Sequence, residues 1–232
     1  MSEGWIRADW PAADGIVAGT TLRDSDHELP AEPQWLNQVH GTRVVHWGSA
    51  DFDAGAPDAD AIISDEPGSI CVVRTADCLP VLLCSRDGSE IAAIHAGWRG
   101  LAAGVIEATL AKMSTPARDL IVWFGPAISQ AAFEVGPEVK DAFVRKNTNA
   151  GTAFLENERG HWRADLYALA RQRLEVAGAS QILGGGLCTH TDAQRFYSYR
   201  RDGETGRMLS FIYRPLSNGV RPQFNELRSD PI

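Results

Sequence analysis

The sequence predicts a mixed α+β fold in layers, and three observations carry that reading. Apolar runs of strand length cluster between residues 69 and 124. Apolar residues at helical spacing dominate the second half, and strand-like runs return near residue 210. Strands in runs, then helices, then strands again do not give the regular alternation of a doubly wound parallel sheet. The 232 residues suffice for a sizeable core and lie in the range of one large domain or two small ones, of which a single catalytic domain over 1–232 is expected.

Each element has its own signal. Residues 50–60 (ADFDAGAPDAD) are rich in Asp, Ala, Gly and Pro and read as a loop. Residues 69–75 (SICVVRT) read as a buried strand and 80–85 (PVLLCS) as a second, with Arg86-Asp87-Gly88 supplying a turn. Residues 91–95 (IAAIH) form a third. A helix is expected over 98–113, with Leu101, Val105, Ala108 and Leu110 on its apolar side. Residues 120–124 (LIVWF) are a further strand, ended by Gly125-Pro126. A helix over 137–145 starts with Pro in its first turn. Another over 165–176 buries Leu166, Leu169, Ala170 and Leu174 and stops at Gly178. Residues 182–188 are a weaker strand, loosened by glycines. Residues 196–199 and 208–213 flank Asp202-Gly203, which suggests a hairpin. The polar tail after Pro215 is expected to be only partly ordered.

Composition excludes several classes of function. Hydrophobic residues make up 44% and charged residues 22%, as in ordinary globular domains, and no long uncharged apolar run suggests a membrane span. The start, MSEGWIRADWPAADG, lacks the basic and then apolar pattern of a secretory signal, so the expected location is cytoplasmic. The net charge is −8 and the Arg residues are scattered among acidic ones, which argues against nucleic acid as a partner. A few local Arg side chains still suffice for a small anion. Four cysteines in a chain this long are not a disulfide scaffold. Cys71 and Cys84 lie inside apolar runs and read as buried hydrophobes.

Three places combine reactive residues with structure that would present them. His40 lies in Asn37-Gln38-Val39-His40-Gly41, just before an apolar run. Cys78 lies in Thr75-Ala76-Asp77-Cys78, directly after a buried strand. His95 opens His95-Ala96-Gly97-Trp98-Arg99-Gly100, between a buried strand and a helix. Adjacent strand ends let Cys78 and His95 meet on a rigid base. One thiolate and two imidazoles are a reasonable ligand set for Zn²⁺, with the fourth position open for water. The spacing alone matches no short metal motif. A half-buried His40 bound to a backbone carbonyl is the plainer alternative. His27, His46, His161 and His190 read as surface or loop residues.

The sequence also resembles a known family. QVHG at 38–41, TADCLPVLLC at 75–84, HAGWRGLAAGV at 95–105, GPAI with FEVG within 125–136, and SYRRDGETGRM at 198–208 are similar to the laccase-domain family, also called the multicopper polyphenol oxidase family. The likeness runs from about Trp35 to Ile212 in the same motif order. It implies an α/β/α-type sandwich with a mixed sheet, related to cysteine hydrolase-like folds. It implies zinc at His40, Cys78 and His95. It implies purine nucleoside phosphorylase activity with adenosine deamination, or, as the alternative, peptidoglycan editing on UDP-muramoyl amino acids. Copper, implied by the older family label, is discounted: one Cys, few His and no Met-containing ligand cluster give no blue-copper site with a trinuclear centre. One departure stands out. The family's long loop with an Arg-x-Gly-Gly-Val-Ser-type stretch before QVHG is missing or shortened here, which predicts a more open site or altered specificity.

The resemblance and the chemistry together suggest roles. Zinc would activate water for attack at C6 of adenosine, or phosphate would attack the ribose C1′. Arg99, in the first turn of the helix after HAGW, is a candidate phosphate ligand. Asp77 is a candidate general acid or base, or else an acceptor that orients a ligand or caps a turn. Arg74 is a candidate partner for Asp77, and Arg200 and Arg201 either reach the pocket or brace the hairpin. Trp98 and Phe133 either stack on a purine or pack in the core. Two other readings are open. Cys78 could be a nucleophile with His95 as its base, or the site could be structural, closed by Cys71 or Cys84 as a fourth ligand.

Overall fold

The computed structural model describes residues 4–215, so the expectation for the tail after Pro215 lies outside the described residues. The strands are β1 (Trp5–Arg7), β2 (Val17–Thr21), β3 (Val44–His46), β4 (Ala61–Ser64), β5 (Ile70–Thr75), β6 (Leu79–Ser85), β7 (Ile91–Ala96), β8 (Leu120–Phe124), β9 (Glu134–Val135), β10 (Phe154–Glu156), β11 (Trp162–Ala164), β12 (Gln181–Gly184) and β13 (Met208–Tyr213). The helices are α1 (Trp98–Ala103), α2 (Val105–Lys112), α3 (Pro137–Val144), α4 (Leu166–Val176) and α5 (Tyr199–Asp202).

A six-stranded mixed sheet, ordered β12-β8-β6-β7-β4-β3, forms the centre. The hairpin β6–β7 is antiparallel, and the outer pairs β8–β12 and β3–β4 are parallel. Alternate residues of β6 face opposite layers, as the pleat requires. Val81 and Leu83 join the cluster beneath α1, α2 and α4, whereas Leu82 and Cys84 join Cys71, Val73 and Ile212. The layers are therefore helices, the six-stranded sheet, and a four-stranded sheet ordered β1-β2-β13-β5. A mixed α+β layered fold is what the sequence predicted. The second sheet occupies the face opposite the helices because β5 and β13 supply an apolar inner row. A small sheet, β10-β11-β9, lies beside α3. Val81, Leu82 and Leu83 are fully buried, and each contributes roughly 1.5–3 kcal/mol of burial.

Two expected elements differ. The helix over 98–113 is two helices, because Gly104 adopts φ 116 and caps α1 in a left-handed conformation while opening α2. The hairpin over 196–213 is not formed. Ser198 accepts a hydrogen bond from the Arg201 N–H and starts the short helix α5, while β13 pairs with β2 and β5 instead. The weak strand expected over 182–188 is shortened to β12, since Gly184, Gly185 and Gly186 all take positive φ. Among the described residues no helix is long and apolar enough to cross a membrane. In the segment before QVHG, Leu29 is buried with Ile70, Val72 and Phe211 on the outer face of the four-stranded sheet.

Candidate metal centre

The site begins at one end of the β6–β7 hairpin. Cys78 immediately precedes β6, and His95 is paired opposite Pro80 near the end of β7. Both strands are central, so their ends are held on a packed base. Asp77, just before Cys78, takes φ 98, a conformation rare for any residue but glycine. Such strain, of order 1–3 kcal/mol, persists where surrounding contacts over-determine it. Here they do. Thr189 Oγ1 donates to Asp77 Oδ1 at 2.5 Å, the Arg200 N–H donates to Oδ2 at 2.7 Å, and the Ile128 N–H donates to the Asp77 carbonyl at 3.0 Å.

His40 arrives differently, on a loop with φ 59 at His40 itself. Asp60 holds that loop. Its fully buried carboxylate accepts the N–H groups of His40 at 2.9 Å, Gly41 at 2.6 Å and Val39 at 3.3 Å. The same carboxylate accepts His95 Nδ1–H at 2.8 Å. One buried acid thus fixes both the loop of one imidazole and the ring of the other. Gln38 adds a second tie. Its amide donates to the Arg74 carbonyl and accepts the Arg74 N–H, both at 2.8 Å, along β5.

The result is a cluster. The candidate ligand atoms of His40, Cys78 and His95 all lie within 4.8 Å of one another. His40 Nε2 is 3.8 Å from Cys78 Sγ, and the two imidazole rings meet edge to face with centroids 4.8 Å apart. His40 is exposed, Cys78 half-buried and His95 buried, so the cluster opens to solvent on one side. Gly97 leaves the space. A Cβ there would lie 2.8 Å from His40 Cδ2 and 3.0 Å from Cys78 Sγ. A soft thiolate, two imidazoles, a carboxylate orienting one ring, and a cradle kept clear by glycine fit a tetrahedral metal with an open position.

In the absence of an ion, the electrostatics describe a thiolate paired with an imidazolium. Burial pushes the Cys78 thiol up, but hydrogen bonds with His40 and His95 and their charge outweigh it and bring it down to about 6. Burial pulls His95 down, but its bonds with Asp60 and Cys78 outweigh it and raise it to about 9. Burial likewise raises the Asp60 carboxyl, and the His95 and Gly41 bonds outweigh it and hold it below its ordinary value.

The other expected residues fall as follows. Arg99 is exposed in α1, its guanidinium 4.5 Å from the centroid of the Trp98 ring. Arg74 does not partner Asp77. It donates to the Leu36 carbonyl and lies over Trp35, because the Asp77 oxygens are already taken by Thr189 and Arg200. Arg200 and Arg201 brace the fold: Arg200 reaches the Glu134 carbonyl, and Arg201 reaches those of Thr189, His190 and Phe196. Phe133 is buried in the core and Trp98 packs against it. Cys71 and Cys84 are fully buried among apolar side chains and add no fourth ligand. Burial pushes the Cys84 thiol up to about 12 and raises the Cys71 thiol as well.

Sequence reasoning missed Asp60 and Cys188. Asp60 was assigned to a loop, although an acid directly before the apolar run Ala61–Ser64 was a usable signal. Cys188 Sγ accepts the Ser129 hydroxyl at 3.1 Å, joining the loops after β8 and β12. Neither spacing nor composition marks that contact.

Residues 19–215 match the model of the family described as multi-copper polyphenol oxidoreductase laccase. Among similar proteins is the purine nucleoside phosphorylase YfiH of Shigella flexneri, 49% identical over 185 residues, covering 80% of this chain and 75% of that protein. The purine nucleoside phosphorylase PA4543 of Pseudomonas aeruginosa is 43% identical, covering 90% of this chain and 98% of its own. Of solved structures, Neisseria meningitidis NMB0706 superposes with a TM-score of 0.85 at 40% identity, covering 91% of this chain and 99% of that one. YlmD of Geobacillus stearothermophilus gives 0.80 at 26% identity, covering 93% and 98%.

Proposed function

The chain belongs to the multi-copper polyphenol oxidoreductase laccase family, and we propose that it is a zinc-dependent purine nucleoside enzyme. The reaction is phosphorolysis of adenosine, inosine or guanosine to base and ribose 1-phosphate, with adenosine deamination at the same site. The observation that carries the reading is the convergence of His40, Cys78 and His95 within 4.8 Å in a chain whose relatives are named purine nucleoside phosphorylases. Zinc held there supplies Lewis-acid chemistry toward a phosphate or water nucleophile. Zinc is preferred to copper because, among the described residues, this is one three-ligand cluster without a methionine, whereas multicopper chemistry needs several.

The chain's own residues do the rest. Asp60 holds the proton on His95 Nδ1 and so turns Nε2 toward the cluster. Asp77 is a positioning residue: both its oxygens are engaged, and it fixes the backbone from which Cys78 projects. Arg99 is exposed and offers its charge to phosphate. The nucleoside and phosphate enter from the side on which His40 is exposed, and the working location is the cytoplasm.

One observation favours a second reading. A thiol at about 6 beside an imidazole suits a cysteine nucleophile. Metal analysis separates the two. Full-length protein should carry stoichiometric zinc and turn over nucleosides, and His95→Ala should lose both while its circular dichroism stays near wild type. A metal-free, active wild type labelled at Cys78 by a thiol reagent would favour the nucleophile. Turnover of UDP-muramoyl-serine with none of any nucleoside would replace the substrate class.

A further inference from the structure

We infer that Tyr199 is the aromatic side chain that stacks on the purine base at the mouth of the site. The inference rests on the nucleoside reading and deepens it. A site for a nucleoside needs an apolar face for the base beside the reacting centre. Three aromatic residues are placed to offer one. Phe133 is buried and lies under Arg200, with the guanidinium carbon 5.2 Å from the ring centroid. Trp98 packs against the core and lies under Arg99. Both rings are engaged by core and guanidinium. Tyr199 is 62% exposed, next to the residue that ties α5 to the site.

Its neighbours explain why it is outside. Ser198 is buried and caps α5. The Arg200 side chain is held by the Glu134 carbonyl and Phe133, and Arg201 is spent on three internal carbonyls. The segment is therefore rigid, with one large apolar side chain turned to solvent. The Arg200 N–H that follows Tyr199 is 2.7 Å from Asp77, which adjoins Cys78. Among the described residues four large apolar side chains are well exposed, and two of them adjoin site residues in the chain: Tyr199 precedes Arg200, whose N–H bonds Asp77, and Val39 precedes His40. An exposed ring on a braced backbone binds with little ordering cost, which is what a stacking platform requires.

The test uses the zinc-loaded full chain with inosine and inorganic phosphate. Tyr199→Ala should raise the KM for inosine about two- to tenfold, with kcat, the KM for phosphate and zinc content unchanged. Tyr199→Phe, which keeps the ring, should restore the inosine KM. Calorimetric binding of inosine without phosphate should weaken by the same factor in Tyr199→Ala. An unchanged inosine KM in Tyr199→Ala overturns the inference, as does an equal shift in both KM values or a failure of Tyr199→Phe to restore binding. A wild type that turns over no nucleoside overturns the proposed function itself, and this inference with it.

Discussion

The two ends of the β6–β7 hairpin are built on different principles. At the turn end, Asp87 accepts hydrogen bonds from the Ser85 hydroxyl at 2.6 Å, the Ser89 N–H at 3.0 Å and the Ser89 hydroxyl at 2.7 Å. Every partner is two residues away. At the other end, Cys78 meets His40 across 38 positions, His95 meets Asp60 across 35, and Asp77 meets Thr189 across 112. A turn is closed by its own sequence, whereas the site is closed by the whole fold. Damage at the turn should therefore stay local, and damage to the long-range ties that close the site should reach metal and stability together.

The largest effect is expected at Asp60, which serves three loop N–H groups and His95 from a fully buried position. Asp60→Ala leaves the buried His95 Nδ1–H without its acceptor and releases the three part-buried loop N–H groups. We expect a loss of about 3–5 kcal/mol, a Tm lower by roughly 10 °C, and at least a tenfold weaker hold on zinc. Thermal melts and metal titration of the variant check this. A variant that melts and binds zinc as wild type does would show that Asp60 is not what joins the loop to the sheet.

Gly97→Ala sharpens the comparison by separating the site from the fold. Gly97 has φ −63 and ψ 155, which alanine adopts without strain. The added methyl would instead press on His40 and Cys78. Zinc affinity should fall at least tenfold, while the metal-free protein should melt within a few degrees of wild type. Full zinc affinity in this variant would mean that the ion sits away from Gly97, and the proposed ligand set would have to change.

The same contrast explains what the sequence made legible. Strands β5 to β8 were placed within a residue or so, because each is a dense apolar run closed by Gly, Pro or a turn. The Arg86-Asp87-Gly88 turn was read because its chemistry is local. His40, Cys78 and His95 were picked out by residue type and flanking strands, and family motifs strengthened the choice. Their convergence was beyond spacing, since Asp60 and Gln38 bring the His40 loop in from elsewhere. The short strands β1, β4 and β9 to β11 escaped, having two to four residues each and too little alternation to register. The false hairpin came from reading Asp202-Gly203 as a turn, when Ser198 four residues earlier was a helix cap.

The smallest effect is expected at the turn end, and it carries a pH signature. Bonds from the Ser85 hydroxyl and from Ser89 hold the exposed Asp87 carboxyl down to about 2, below its ordinary 3.8. A carboxylate whose folded value is depressed stabilises the fold above the ordinary value and loses that contribution as pH falls through the folded one. Asp87→Asn should thus lower Tm by at most a few degrees at neutral pH, with the gap closing between pH 4 and about 2. Zinc content at neutral pH should match wild type, since no site residue depends on this turn. A gap that persists unchanged to pH 2, or a loss of zinc, would show that the two ends of the hairpin are coupled and that the turn is not a purely local structure.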